Sequence, residues 1–185
     1  MLDLRIVLFF FHIPPGIVQW NYTKPYGRRS GIMAKMGSSW LTERDRHLEA
    51  GRSEVLTVRV NLLDTITSPN ADGTMRVEIP FDGRAESPWF TGKVVTPASD
   101  IQRHRNGETI EACADYILEG TDFRGTKCKV HVTNTLYPDG WKPVVSADCG
   151  ALTVLNDAHC HTVVEPADSG VIIHIFCERR ILPDP

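Results

Sequence analysis

The chain has 185 residues, 42% of them hydrophobic, which is enough for one domain with a substantial core. Its 20 basic and 23 acidic side chains leave a net charge of −3, so there is no electrostatic reason to expect nucleic acid or an anionic membrane as partner. Composition therefore disfavours a disordered chain and favours a small molecule or another protein as the partner.

The first segment, "LRIVLFFFHIPPGIVQW", is apolar but is interrupted by His12 and a proline pair. The uninterrupted run of about 18 apolar residues that a spanning helix requires is absent. A signal peptide is disfavoured as well, because the n-region is weakly basic and no small-residue cleavage site precedes the basic "KPYGRR". We expect Met33 or Met36 to be the working start, residues 1–36 to be a tail, and the protein to be cytoplasmic.

The next segment, "SSWLTERDRHLEAGR", has a serine or threonine cap, an early Glu43 and Gly51 as a stop. These signals predict a short helical or extended leader over residues 37–53. Alternating, β-branched sequence then begins, and it predicts a β-domain over residues 54–178 with a C-terminal tail at 179–185.

Turn signals divide this domain into short strands. The predicted strands and hairpin are Glu54–Ile66, Met75–Phe81, Trp89–Thr96, the hairpin Glu108–Asn134, and Gly170–Glu178. The predicted turns and loops are Ser68–Thr74, Asp82-Gly83, Asn106-Gly107 and Leu136–Pro143, and Ala147–His159 is expected to form a strand or one helical turn. Many short strands without a long amphipathic helix are typical of an all-β sandwich or barrel.

Five cysteines are scattered through strand-like segments without a C-x-x-C pair. This usage indicates reduced thiols that pack as small hydrophobic side chains. His159 and His161 flank Cys160 at metal-like spacing, but no further ligand is fixed by spacing, so no metal site is predicted. No nucleophile, phosphate-loop or dinucleotide motif occurs, and no cofactor is predicted.

The hairpin "ADYILEGTDFRGTKCKVHVTNT", residues 114–135, raises the question of which face points inward. Strand side chains alternate, so Tyr116 and Leu118 share one face while Asp115 and Ile117 share the other. If the face of Asp115 faces solvent, the hairpin is an ordinary two-sided one with cross-strand charge pairs. If that face lines a lumen, Asp115 becomes a candidate site residue.

Polar side chains also follow the ends of predicted strands, where each alone is expected to serve as a turn or cap residue. As a set they could converge at one barrel mouth, with aromatic walls from residues such as Trp141. The polar candidates are Asp100, Gln102, Asn134, Asp148 and Asn156.

The hairpin sequence quoted above, together with "LTVLNDA" and "GVIIHIF", makes the chain resemble the domain-of-unknown-function family 3237 from about Glu54 to Phe176. The resemblance implies a compact antiparallel barrel of the allene-oxide-cyclase or lipocalin-like kind, self-associating, with a pocket at one end. It also implies that Tyr116 points into the barrel and Asp115 points outward.

We therefore expect an all-β fold, a single antiparallel β-barrel of about eight strands behind a short helical or extended leader. The expected ligand is a small, partly apolar organic molecule, and the expected reaction class is a cofactor-independent isomerase, cyclase or lyase. Its catalytic residues would be Asp100, Tyr116 and Asp148, and its ligand-binding residues would be Gln102, Asn134, Trp141 and Asn156. The alternative is a non-catalytic binding or interaction module in which the same residues only shape the pocket.

Overall fold

The computed structural model describes residues 41–178 and 181–182. The tail and start-site predictions for residues 1–36 lie outside these ranges. One helix is followed by ten strands and a short 3-10 helix, which lies between the eighth and ninth strands. The elements are α1 (Glu43–Glu49), β1 (Ser53–Leu62), β2 (Ile66–Pro69), β3 (Met75–Ser87), β4 (Phe90–Val94), β5 (Ala98–Arg105), β6 (Glu108–Asp122), β7 (Lys127–Tyr137), β8 (Gly140–Ala147), the 3-10 helix (Ala151–Leu155), β9 (Cys160–Ala167) and β10 (Gly170–Cys177).

A capping box starts the predicted leader helix. The Thr42 hydroxyl accepts a hydrogen bond from the Asp45 N–H at 3.1 Å, and the Asp45 carboxylate accepts one from the Thr42 N–H at 3.0 Å. The chain leaves the helix through Gly51, whose φ of 76° lies in the left-handed region. The helix is thus shorter than the predicted leader and is followed at once by β1.

The strands form a closed antiparallel barrel core plus extra strands. Hydrogen-bonded neighbours follow the order β8-β7-β6-β4-β3-β1-β10-β9, and the two ends of this order, β8 and β9, contact one another. β2 pairs with β3 off this path, and β5 pairs with both β3 and β6. The structure has ten strands rather than the predicted eight. β1 and β2 pair with successive parts of β3 on one side, β4 and β5 do so on the other, and a few residues separate the two strands of each set.

β3 does not end where the turn signal Asp82-Gly83 predicts, so that prediction is wrong. The strand runs on to Ser87 and exchanges partners near Phe81, from β2 and β5 to β1 and β4. Gly83 permits this continuation because a Cβ there would lie 2.3 Å from the Arg59 carbonyl oxygen. Glycine here serves the close approach of two strands rather than a turn.

The predicted loop Leu136–Pro143 is also largely strand. β7 continues to Tyr137 and β8 starts at Gly140, which leaves only Pro138 and Asp139 as a tight connection. Pro143 sits inside β8 opposite Asn134 and is buried. Proline is tolerated there because β8 ends the paired order of strands.

Two other local predictions are confirmed. Asn106 and Gly107 connect β5 to β6 with φ values of 54° and 85°, the backbone that a two-residue hairpin requires. The ambiguous segment after β8 forms one helical turn, Ala151–Leu155. The Asp122 carboxylate holds this turn against the β6–β7 connection by accepting N–H bonds from Arg124, Thr126 and Ala151 at 2.7 to 2.9 Å.

The core fills the barrel interior from all sides. Its largest fully buried side chains include Phe90, Leu56 and Leu118. Leu182 belongs to the same core with 4% of its surface exposed, so the packed domain extends beyond β10 into the segment predicted as a C-terminal tail.

Candidate functional site

Three polar side chains of β5 point into the barrel. Asp100, Gln102 and His104 alternate on one face of the strand, and Ala98 on the same face belongs to the core. Gln102 and His104 are each 6% exposed, and Asp100 is partly buried, with its Oδ1 atom shielded from solvent. A half-polar inner face is unusual, since barrel interiors of this size are normally filled by apolar side chains.

A chain of hydrogen bonds runs along this face. The Gln102 Nε2 donates to Asp100 Oδ2 at 2.6 Å, and Gln102 Oε1 lies 2.8 Å from His104 Nε2. The Thr109 hydroxyl lies 3.2 Å from the same His104 nitrogen. Gln102 is therefore held at both ends of its amide, and it fixes the rotamer of the Asp100 carboxyl group.

Asn134 faces Asp100 across a small residue. In the strand register Asp100 pairs with Ala114, and Ala114 pairs with Asn134. The backbones of β5 and β7 are therefore two strand spacings apart, about 10 Å. Ala114 therefore places only a methyl group between the carboxyl and amide groups on either side.

Tyr116 lies one rung further along β6 and is 3% exposed. Its ring meets the Phe81 ring edge to face, with centroids 5.4 Å apart and planes at 82°. The inward orientation predicted for Tyr116 is confirmed, and Asp115 on the opposite face pairs with His131 on the exterior.

Three buried oxygens on this inner face have no hydrogen-bond partner within residues 41–178 and 181–182. They are Asp100 Oδ1, Tyr116 Oη and Asn134 Oδ1. Buried polar atoms in folded proteins are nearly always paired, and each exception needs a physical reason. We call Asp100, Gln102, Tyr116 and Asn134 the inner polar row.

Burial shifts the ionisation of both acids in the row in the same direction. Loss of solvent raises the pKa of Asp100 above its ordinary value, although the hydrogen bond from Gln102 pulls the other way. Burial also raises the pKa of Tyr116, so its phenol stays protonated at neutral pH. The row therefore contains a carboxyl group whose charged form is disfavoured and a protonated phenol that can donate a hydrogen bond.

The remaining predicted site residues are placed differently. Trp141 is half-buried and shares the inner-face register with Leu136, towards one end of the row. Asp148 is exposed, and its carboxylate accepts the Lys129 N–H at 2.8 Å. Asn156 braces the end of β8, accepting from the Ala147 N–H at 2.7 Å and donating to its carbonyl at 3.2 Å. Asp148 and Asn156 thus support backbone rather than line the barrel.

The site residues predicted from the sequence did not include His104 or Ala114. The signal for His104 was present, because Asp100, Gln102 and His104 recur with period two in "SDIQRHR". Ala114 gave no signal, since its importance depends on which strands lie on either side of it.

A partly buried cluster of charged and polar side chains lies on the exterior of β1 and β10, beneath α1. Glu54 Oε1 lies 2.6 Å from both His174 Nδ1 and the Thr57 hydroxyl, and Glu54 Oε2 accepts from Arg44 at 2.7 Å. His174 Nε2 also lies 3.4 Å from Glu165. Burial opposes the charge of Glu54, but its hydrogen bonds, the strongest being with His174, lower its pKa to about 2. Glu54 thus links Arg44 of α1 to His174 of β10, so this cluster attaches the helix to the barrel.

Two cavities open elsewhere on the surface. An open groove of about 740 Å³ is lined by charged residues of both signs, among them Arg59, Asp82 and Lys93. A second cavity, of about 470 Å³, lies beside Arg124 and Leu182. Neither lining includes a member of the inner polar row, which is distinguished by its unpaired buried oxygens.

Within the part of the chain that the structure describes, no three His, Cys, Asp or Glu side chains are arranged to hold a metal ion. The same part contains no helix with the length and apolar character needed to cross a membrane.

The fold places the chain among β-barrel-like proteins. No family model and no curated protein matches it. Solved structures do: a protein of unknown function from Clostridium acetobutylicum has a TM-score of 0.54 at 16% identity, covering 69% of this chain and 98% of its own.

Two further structures agree. A conserved protein of unknown function from Rhodopseudomonas palustris has a TM-score of 0.52 at 14% identity, covering 68% of this chain and 95% of its own. A β-barrel-like protein from Acinetobacter baumannii has a TM-score of 0.51 at 12% identity, covering 68% and 94%. At these identities the likeness concerns the fold alone.

Proposed function

We propose that the inner polar row binds a small, partly apolar carbonyl compound and moves a proton on it without a cofactor, as an isomerase, cyclase or lyase does. The observation that carries this proposal is the set of three buried, unpaired oxygens of Asp100, Tyr116 and Asn134. A ligand with matching polar groups would supply their partners, and the surrounding apolar residues would contact its carbon skeleton.

Asp100 is the general base and acid in this proposal. Its Oδ2 is occupied by Gln102, which leaves Oδ1 to take a proton from the carbon next to the ligand carbonyl. A raised pKa suits this role, because proton transfer is most efficient when the pKa approaches the working pH. The same carboxyl group then returns the proton at another carbon, or at the same one, so the reaction needs no external acid or base.

Tyr116 and Asn134 have separate tasks. The protonated phenol of Tyr116 donates a hydrogen bond to the ligand oxygen, where negative charge develops as the carbon loses its proton. The amide of Asn134, across Ala114 from Asp100, orients the ligand. Gln102 is a positioning residue, because it acts through the Asp100 carboxyl group.

The enzyme class is favoured over a passive binding module by the burial of Asp100. A binding site for neutral molecules gains nothing from a carboxyl group held next to Ile79 and Ala114, where its charge is disfavoured. A binding module remains a defined outcome of the experiment below.

The test follows hydrogen–deuterium exchange at the α-carbons of cyclohexanone in D₂O by NMR. Wild-type protein should accelerate exchange, and Asp100→Asn and Tyr116→Phe should abolish or strongly reduce the acceleration. Asp148→Asn is the matched control, a surface carboxylate whose loss should leave the rate unchanged. Saturable binding of cyclohexanone without exchange would favour the binding module, and equal rates in wild type and Asp100→Asn would refute the catalytic role of Asp100.

We also propose, from the resemblance to the family named above, that the barrel self-associates. Exposed apolar side chains on the exterior, such as Val144 and Ile117, support this proposal. Sedimentation of the full chain at several concentrations tests self-association, and a purely monomeric profile would contradict it.

The free thiols among the described residues support a reducing, cytoplasmic setting.

A further inference from the structure

Two cysteines meet where the last two strands end. Cys160 opens β9 and Cys177 closes β10, and the register pairs them directly. Their sulfur atoms are 3.4 Å apart. Directly opposed residues in an antiparallel pair have Cα atoms about 4.5–5.5 Å apart, which falls inside the range that a disulfide bond requires.

The two thiols differ in access. Cys177 is 1% exposed and belongs to the core, whereas Cys160 is only partly buried and packs at its margin. Their mutual hydrogen bond lowers the pKa of Cys160 and raises that of Cys177, against the effect of burial on Cys160. The more accessible sulfur is thus also the one with the greater thiolate character, which is the form that attacks disulfides.

We propose that Cys160 and Cys177 are a reversible dithiol site that closes into a disulfide by exchange with a small-molecule disulfide such as oxidised glutathione. The Cys160 thiolate attacks one glutathione sulfur, forms a mixed disulfide and expels one glutathione thiolate. Cys177 then gives up its proton and attacks the Cys160 sulfur, which expels the second glutathione. The two cysteines are oxidised, the small disulfide is reduced to two thiols, and the cysteine protons end on the glutathione sulfurs.

The other cysteines lack this arrangement. Cys113 contacts the Thr135 hydroxyl at 3.5 Å, and the Cys149 thiol donates to the Lys127 carbonyl at 3.2 Å. Cys128 is buried, and burial, its largest influence, raises its pKa to about 11. They therefore serve as internal controls within the same chain.

The site is independent of the inner polar row, and its test uses the full chain. The protein is incubated with oxidised glutathione, its remaining thiols are blocked with N-ethylmaleimide, and the intact mass and peptide map are recorded. The expected result is a Cys160–Cys177 disulfide with the other cysteines alkylated, reversed by dithiothreitol.

Two variants define the order of steps. Cys177→Ser should stop at a stable glutathione adduct on Cys160, and Cys160→Ser should give neither adduct nor disulfide, while Cys113→Ser should behave as wild type. Circular dichroism checks that each variant is folded. If Cys177→Ser does not fold, the peptide map of the wild-type protein decides by itself whether the disulfide forms. Failure of wild type to lose both thiols, a Cys128–Cys149 link in its place, or a stable adduct at Cys160 in wild type would overturn the proposal.

Discussion

The hydroxyl group of Tyr116 offers a sensitive test of the inner polar row, through the substitution Tyr116→Phe. The oxygen is buried and has no partner within the described ranges, while the ring packs against Phe81. An unpaired buried hydroxyl costs about 1–3 kcal/mol, and phenylalanine removes this cost while keeping the ring contact. Tyr116→Phe should therefore raise the free energy of unfolding by about 1–3 kcal/mol.

The assay is urea denaturation followed by circular dichroism, with a thermal melt as a second readout. For a domain of this size each kcal/mol corresponds to about 4 °C in Tm. Tyr137→Phe is the matched control, because Tyr137 is 48% exposed and its hydroxyl loss should change stability by less than about 0.5 kcal/mol. If Tyr116→Phe instead lowers stability by more than about 1 kcal/mol, the hydroxyl has a partner inside the protein and the reasoning fails.

Three further substitutions are checked by the same denaturation series. Asp100→Asn should raise the free energy of unfolding at neutral pH, because burial disfavours the carboxylate. This gain in stability should be absent below about pH 3.8 and should grow as the pH rises through the raised pKa of the folded state. A gain that does not depend on pH would contradict this reasoning. Glu54→Gln should have the opposite sign, because the lowered pKa of Glu54, about 2, stabilises wild type by about 3 kcal/mol at neutral pH. This advantage should disappear as the pH falls from about 5 towards 2, and equal stability at pH 7 would show that the hydrogen bonds of the Glu54 carboxylate contribute nothing. Gly120→Ala should cost about 3 kcal/mol, because the added Cβ would lie 2.2 Å from the Thr91 carbonyl oxygen, and unchanged stability would show that β4 and β6 are not in close contact there.

The local sequence pattern was sufficient to predict the structure of a segment where a single physical rule determines it. Alternation along β6 placed Tyr116 and Asp115 on opposite faces of the strand, and the family resemblance then predicted that Tyr116 points inward, as the structure has it. Asn106 and Gly107 predicted a hairpin turn, because few other residues accept the positive φ values found there.

Pattern failed where the role of a residue depends on a distant strand. Gly83 resembles a turn residue, yet it lies inside β3 because Arg59 of β1 passes too close for a side chain. Pro143 resembles a loop residue, yet it lies in β8, where the partner strand is on one side only. Asp148 resembles a strand-end site residue, yet its carboxylate is used by the backbone of Lys129. In each case the register, which no local signal contains, decides the outcome.

The candidate site was predictable in composition more than in arrangement. Asp100, Gln102, Tyr116 and Asn134 were all predicted as site residues, and the structure brings them onto one inner face. Its unpaired buried oxygens are locally unfavourable, and under the proposed function a ligand supplies their partners.

The most direct test of this account is an NMR titration of the aspartate side-chain carboxyl carbons. The Asp100 carbon should titrate above its ordinary pKa of 3.8, because burial disfavours its charge. Asp148 and Asp122 should titrate below theirs, because backbone N–H groups, of Lys129 and Ala151 respectively, stabilise their carboxylates. If Asp100 titrates together with these two, it is a solvated or paired carboxylate, and neither the proton transfer nor the stability gain of Asp100→Asn can hold.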